Sequence, residues 1–414
     1  MDAISTTIFY VLMFLSVYVQ VFFLITFLEN RKKIVTRSGS ISLSRYPAVT
    51  IIVPSFNEEK TIYRTVRSVL DLNYPKDKLK VFLIDDGSTD GTWNAISKFG
   101  KNKNIKLFRK ENGGKYTALN LGLQNTETDF IGCLDADSFV HPEALSRIMS
   151  YFGKNPSTMA VVPSVTVHQP KGIIQNAQKA EYEMGVYLKK MLSFIGAIDV
   201  TPGPFTIFKK KVFDDLGPYR HAHNTEDMEI AYRMQKNHYK IEHCNDAYVY
   251  TNTPHTIPKL FRQRLRWIYG FINNTFDYKE ILFSRKHGNF SLFTLPARAI
   301  SVVSVAYIFG SMIYSIGNFI YSKIIQVQAS GFHLGGNAFK FDFFFLDFQA
   351  SIFISLAIYA IMIFSVIFGR KMASGKWSFP FEALYFFVVF LLIAPFWVLK
   401  AFYNTILART PAWR

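Results

Sequence analysis

The sequence predicts an α/β domain with a mostly parallel sheet, inserted between transmembrane α-helices, and three observations lead to it. Four long stretches, 4–28, 299–322, 348–369 and 383–399, carry no charged side chain. Between the first two, short β-branched runs alternate with helical stretches. Acidic residues follow three successive runs. Half of the 414 residues are hydrophobic, and 47 Lys and Arg stand against 30 Asp and Glu, a formal net charge of +17. So apolar a chain is unlike a simple soluble enzyme, and its charge suits an anionic neighbour, either lipid headgroups or a phosphate-bearing substrate.

A bilayer-spanning helix needs about 20 mostly apolar residues. The first stretch lacks a basic n-region and a small-residue cleavage site, and Arg31, Lys32, Lys33 and Arg37 follow it. It reads as a retained anchor with its C-terminal end in the cytoplasm. Counting crossings puts the middle of the chain inside, and Arg370, Lys371 and Lys376 agree. The 383–399 stretch is the shortest, and a crossing there carries Lys400, Arg409 and Arg414 outward, against the positive-inside trend. The expected organisation is a transmembrane helix over 1–30, a cytoplasmic domain over 45–255 and interfacial amphipathic helices over 256–298. Three transmembrane helices over 299–399 and a tail over 400–414 complete it. Phe341 to Phe348 reads as an outer-face interfacial element.

Residues 49–53 (Val-Thr-Ile-Ile-Val) and 80–84 (Lys-Val-Phe-Leu-Ile) flank a helical segment around 58–71, which makes a βαβ unit. Runs at 129–134 and 159–162 follow at similar intervals, so a mostly parallel sheet is expected. Ligands of such sheets bind beyond the carboxyl ends of the strands. There the sequence places Pro54-Ser55-Phe56-Asn57-Glu58-Glu59, then Asp85-Asp86-Gly87-Ser88-Thr89-Asp90-Gly91, then Asp135-Ala136-Asp137. Asp, Ser and Gly are also ordinary turn residues, and Asp90 fits that role. Asp135 and Asp137, two carboxylates just past an apolar strand, repel each other unless a cation or a donor is supplied. A hard divalent ion shared with substrate phosphate oxygens is the usual solution. No Gly-x-Gly-x-x-Gly opens a helix, and Gly114-Lys115-Tyr116 lacks the rest of a Walker A loop, which excludes dinucleotide and P-loop readings.

These motifs resemble the inverting family 2 glycosyltransferases of the GT-A fold, in the processive membrane-embedded branch of poly-N-acetylglucosamine, chitin-oligosaccharide, hyaluronan and cellulose synthases. The resemblance runs over nearly the whole chain. It rests on Pro54 to Glu59, Asp85-Asp86-Gly87-Ser88, Asn112-Gly113-Gly114-Lys115, Asp135-Ala136-Asp137, Thr225-Glu226-Asp227 and Gln263-Arg264-Leu265-Arg266-Trp267. It implies that Pro54, Asn57, Glu58, Asp86, Lys115, Asp135 and Arg266 bind a UDP-sugar donor, with Asp86 at the uracil ring. It implies that Asp137 holds Mg²⁺ or Mn²⁺, and that Asp227 is the base that deprotonates the acceptor hydroxyl in a single displacement giving a β-linkage. Glu226, Gln263 and Trp267 fall on the acceptor side. Thr201-Pro202-Gly203-Pro204-Phe205 resembles the family's acceptor loop but departs from its usual Ser-Gly form, so Gly203 is assigned loosely. Arginine forks suit phosphate and a tryptophan face suits a sugar ring. Arg262 and Arg264 could equally serve a basic interface helix.

The implied partners are a UDP-sugar, a polysaccharide or lipid-linked acceptor, the lipid bilayer, and export or accessory subunits. Nucleic acid is not expected, since the basic residues are dispersed instead of forming one surface. A transporter would carry ionisable residues within its spans, which are charge-free. Cys133 and Cys244 have no metal or disulfide spacing, and His221 and His223 read as loop residues. The absence of a gating loop after Trp267 weighs against a cellulose synthase, and the Arg-Gln-Arg-Leu-Arg-Trp segment favours N-acetylglucosamine as the sugar.

Overall fold

A computed structural model describes residues 3–34, 43–330 and 348–411. Arg37, Arg414 and the segment 341–347, read above as flanking charges and an interfacial element, lie outside the described residues. In chain order the elements are α1 (Ala3–Asn30), β1 (Val49–Ser55), α2 (Ile62–Leu70), β2 (Leu79–Asp86), α3 (Thr92–Ser97), β3 (Ile105–Lys110) and α4 (Lys115–Gln124). Then come β4 (Phe130–Cys133), β5 (Ser138–Val140), α5 (Ala144–Lys154), β6 (Thr158–Val167), α6 (Gly172–Phe194), β7 (Thr206–Lys209) and α7 (Lys211–Leu216). The chain continues through α8 (Glu226–Lys236), β8 (Lys240–Thr251), α9 (Ile257–Asp277), α10 (Leu295–Ser330), α11 (Phe348–Ser374) and α12 (Glu382–Ile406).

Among the described residues the strands form one eight-stranded sheet in the order β3-β2-β1-β4-β7-β6-β8-β5. The β3-β2-β1-β4 half is parallel, with Val49 opposite both Leu79 and Phe130. β7 runs antiparallel between β4 and β6, and β5 runs antiparallel to β8, so the sheet is mixed. β6 and β8 are parallel to each other. The parallel half has both faces covered, so its strands read as continuous apolar runs. Val49, Ile51 and Val53 pack with Val66 of α2 and Ile148 of α5. Ile52 packs on the opposite face with Leu119 of α4 and Met191 of α6. Because β1, β2 and β4 point the same way, Ser55, Asp86 and the Asp135 loop come together at one edge.

The helices α1, α10, α11 and α12 are each long and apolar enough to cross a membrane. The 383–399 stretch, short on its own, is the middle of the 25-residue α12. The amphipathic pattern of 256–298 is borne mainly by α9. α9 turns its apolar face inward, burying Leu260, Leu265, Phe271 and Ile272, and Phe261 meets Trp397 of α12. Apolar side chains facing outward in this segment include Phe276, Phe283 and Leu292.

Candidate active site

One open cavity of about 1530 Å³ lies at the carboxyl edge of the parallel strands. Of the residues assigned roles from sequence, Pro54, Glu58, Asp86, Lys115, Asp135, Asp137, Gly203, Glu226, Asp227, Gln263, Arg266 and Trp267 all line it. Asn57 is not among the lining residues. Its backbone takes φ +54°, its amide donates to Ser88 Oγ (3.0 Å) and its Oδ1 accepts from the Thr89 amide (2.9 Å). It stitches the loop after β1 to the loop after β2.

Asp86 ends β2 almost fully buried, and its carboxylate accepts from Lys110 Nζ (2.5 Å) and from the amides of Gly113 (3.2 Å) and Gly114 (3.0 Å). It therefore shapes the glycine-containing loop that leads into α4. Lys115 is the first residue of that helix, and its Nζ lies 2.6 Å from Asp135 Oδ1 and 3.1 Å from Glu226 Oε1. Burial alone lowers an ammonium's pKa, but Asp135 and Glu226 outweigh it and hold Lys115 well above the usual lysine value. This packing requires a glycine at 203, because a Cβ there would sit 2.6 Å from both Asp135 Oδ1 and Lys115 Nζ.

The acids around Lys115 differ in their proton affinity. Burial first, then the charges of Asp135 and Glu58, push Asp137 up to about 7, with Ser138 Oγ donating to it in opposition. Asp227 is raised to about 6 by burial and by Glu226, against the opposing charges of Lys115 and Arg266. Glu226 is lowered, since Lys115 overcomes the effect of its burial. Adjacent carboxylates in the first turn of α8 are thus driven apart, one kept ionised and the other left with an affinity for protons near neutrality.

The turn entering α8 is strained. Ala222, His223 and Asn224 have φ of +44°, +55° and +61°, a region that non-glycine residues occupy only when their surroundings impose it. One face of α9 imposes it. Arg266 donates to the Asn224 carbonyl (2.7 Å), Asn274 donates to Thr225 Oγ1 (2.8 Å) and Asp277 pairs with His223 (2.8 Å). Between them Gly270 lets Thr225 approach so closely that a Cβ would stand 2.3 Å from Thr225 Oγ1. From the other side Thr201 gives its amide (3.1 Å) and hydroxyl (2.9 Å) to the Asp227 carbonyl.

Trp267 is backed by Arg264, whose guanidinium lies 4.2 Å from the ring centroid and pairs with Glu181 at 2.6 Å. Arg264 is buried, so of the two roles open to it, packing beneath Trp267 is the one the structure gives. Gln263 Oε1 is buried without a hydrogen-bond partner. Glu181, Lys189 and Arg298 also line the cavity, and nothing in the sequence pattern marks them, since each looks like a solvated helical charge. His221 lines the cavity with its ring edge-on to Tyr116.

Residues 50–217 match the family described as Glycosyl transferase family 2. This segment is a family 2 glycosyltransferase domain. It contains the candidates from Pro54 to Gly203, while Glu226, Asp227, Gln263, Arg266 and Trp267 follow it. The chain is 33% identical over 224 residues to the poly-β-1,6-N-acetyl-D-glucosamine synthase of Staphylococcus epidermidis, covering 54% of each chain. It is 28% identical over 280 residues to the synthase of that name from Staphylococcus aureus (strain COL), covering 67% of this chain and 66% of that one. The chain thus spans about half the length of the first of these relatives. Among solved structures, it resembles the mannosyltransferase of Pyrobaculum calidifontis in complex with GDP-Man and Mn²⁺, with a TM-score of 0.61 at 16% identity over 96% of this chain and 99% of that one. That likeness is one of fold, and the sheet with its flanking helices has the GT-A arrangement.

Proposed function

We propose that the chain is a membrane-bound inverting glycosyltransferase that moves N-acetylglucosamine from UDP-N-acetylglucosamine to a growing polysaccharide at the cytoplasmic face, forming a β-linkage. The observation that carries this reading is the cavity in which Asp227, raised to about 6, shares its walls with Asp86, Lys115, Asp135 and Asp137. Asp227 takes the proton of the acceptor hydroxyl as that oxygen attacks the anomeric carbon. The bond from acceptor oxygen to anomeric carbon forms, the bond from anomeric carbon to diphosphate oxygen breaks, and UDP leaves with the electron pair. Lys115 and Arg266 bring positive charge to the diphosphate, and Trp267 offers a face for the acceptor sugar. The sugar and the polymer are suggested by the names of the staphylococcal relatives.

The acid pair fits a divalent cation. Burial, Asp135 and Glu58 raise Asp137 toward protonation when no cation is present, which is the behaviour of a carboxylate arranged for a positive charge. Among the described residues no group of three or more His, Cys, Asp or Glu could hold a metal by itself, so Asp137 and Asp135 would share Mg²⁺ or Mn²⁺ with donor phosphates. When bound, the ion supplies charge stabilisation to the departing diphosphate. The charge-free helices and the basic residues beside them support a multi-pass arrangement in the cell membrane.

The test is turnover of the full chain in lipid nanodiscs with Mg²⁺ or Mn²⁺ and a panel of labelled UDP-sugars, reading UDP release and product size. A long product from UDP-N-acetylglucosamine is expected. A product that stops at a single added sugar even when a lipid acceptor is supplied overturns the polymer reading in favour of a non-processive transfer to a lipid-linked acceptor.

A further inference from the structure

The cavity continues into the bundle of apolar helices. Ser301, Val302 and Val305 line it from one face of α10, and Ala394, Trp397 and Val398 from one face of α12. Their spacings, i, i+1, i+4 and i, i+3, i+4, keep each set on a single helix face. From Arg298 to Val305 the lining runs about 10 Å along α10 at the helical rise. A glycan is covered with hydroxyl groups that need partners when removed from water. Apart from the Ser301 hydroxyl and the Trp397 N–H, these side chains are hydrocarbon, and hydrocarbon is what such a slot accepts.

At its mouth, between the slot and Asp227, stand two cations. Arg298 is paired with Asp199 at 2.6 Å. Lys189, on α6, lines the cavity within electrostatic reach of Asp199, Asp227 and Arg298, and it has no hydrogen-bond or ion-pair partner among the described residues. Burial depresses its pKa, and Asp199 and Asp227 work against that depression. A half-buried ammonium that faces a cavity with no protein partner is placed to receive an anion from a ligand. A lipid phosphate joins a fixed anionic group to a hydrocarbon chain.

We propose that the first acceptor is a sugar carried on a lipid phosphate, with the phosphate between Lys189 and Arg298, the hydrocarbon between α10 and α12, and a sugar hydroxyl at Asp227. This rests on the transferase reading and specifies its acceptor. The nucleophile is the sugar hydroxyl and not the phosphate, because a phosphate oxygen is already ionised at neutral pH and leaves a base nothing to do. The proton passes from that hydroxyl to Asp227, the new bond joins its oxygen to the donor's anomeric carbon, UDP departs, and the lipid phosphoester stays intact.

The experiment uses the full chain in phosphatidylcholine nanodiscs with UDP-N-acetylglucosamine and Mg²⁺. It compares polyprenyl-phosphate-linked N-acetylglucosamine with water-soluble methyl N-acetyl-β-glucosaminide, reading UDP release and label extracted into organic solvent. The lipid-linked acceptor is expected to be preferred, and Lys189→Gln is expected to lower that preference, as a ratio of kcat/KM, by about 10- to 100-fold, the loss of one charge-assisted contact. Ala394→Phe, which fills the slot without touching the charges, should lower it too, with UDP affinity showing that each variant is folded. Equal use of the two acceptors, or variants that depress both alike, overturns the proposal. So does competition by inorganic phosphate as effective as that by polyprenyl phosphate, which would make the site one for free phosphate. Native mass spectrometry reads the site without turnover: retained polyprenyl phosphate, lost in Lys189→Gln, supports it, and equal retention of uncharged polyprenol sinks it. UDP release absent for every UDP-sugar while polyprenyl phosphate is still retained would count against the transferase reading alone.

Discussion

Asp227 and Glu226 are chain neighbours, yet of the two Lys115 ion-pairs with Glu226, while burial and the charge of Glu226 leave Asp227 with a carboxyl raised to about 6. A carboxyl serves as a base only when ionised, so turnover should rise as pH climbs through about 6 and fall below it, where Asp227 is protonated. A profile of kcat/KM against pH that stays flat from 5 to 8 would remove Asp227 from the role. Asp227→Asn keeps shape and polarity but cannot accept the proton, and the expected loss in turnover is about 10²- to 10⁴-fold with UDP affinity nearly unchanged in calorimetry. Asp137→Asn acts elsewhere: it removes the carboxylate that burial, Asp135 and Glu58 have made receptive to a cation. Titration of Mn²⁺ in the presence of UDP, followed by electron paramagnetic resonance, should show weaker binding of both. Unchanged metal affinity in that variant would break the assignment.

At the scale of elements, the geometry of Asp227 depends on α9 as much as on α8. Arg266, Gly270, Asn274 and Asp277 lie four, four and three residues apart, a single helix face, and that face holds the left-handed turn at 222–224. Gly270→Ala places a methyl 2.3 Å from Thr225 Oγ1, so α9 must move or the turn must relax. Such overpacking costs about 1–3 kcal/mol, and the expected result is a large fall in kcat with a modest fall in Tm and little change in UDP affinity. If UDP affinity fell as far as kcat, the damage would be general and the positioning role lost. None of this could be read from the sequence, because the contact joins a helix to a turn about 45 residues upstream. The strand ends were readable for the opposite reason: β1, β2 and β4 are continuous apolar runs with polar residues at once behind them. β7 has four residues and β8 runs Lys-Ile-Glu-His-Cys-Asn-Asp before its apolar end, so neither has the pattern that betrays a strand, and the antiparallel insertion went unforeseen. Arg264 is legible in sequence as a cation for a phosphate or for a membrane interface; its place under Trp267 depends on Glu181, a residue of another helix.

For the molecule as a whole, the sheet must be held at a fixed position against the apolar helices if acceptor and donor are to meet. The helix that spans the two regions is α6. Its Tyr187 packs on Phe27 of α1 and Phe364 of α11, and with it Val186 and Met191 join the sheet's core. Its charges do the fastening: Arg370 of α11 reaches Glu183 at 2.9 Å and Glu382 of α12 at 2.7 Å, and Glu382 also accepts Lys179 at 2.6 Å. Three helices thereby share one chain of alternating charges, and its Glu183 end is the most buried part, with the side chains of Arg370 and Glu183 8% and 7% exposed. Buried ion pairs add little net stability when intact, but removing one partner strands the other charge and costs about 3–5 kcal/mol. Arg370→Met leaves Glu183 without its cation, whereas Glu382→Gln keeps Arg370 on Glu183 and releases only the more exposed end, 21% accessible. Arg370→Met should therefore lower Tm in detergent clearly further than Glu382→Gln, and should lower turnover in nanodiscs while the isolated UDP-binding step persists, since Asp86 is held by Lys110, Gly113 and Gly114 and no described residue of α11 is among those that line the cavity. Equal Tm losses in the two variants would mean that the network is a surface ornament and that α6 is held to the spans by its aromatic contacts alone.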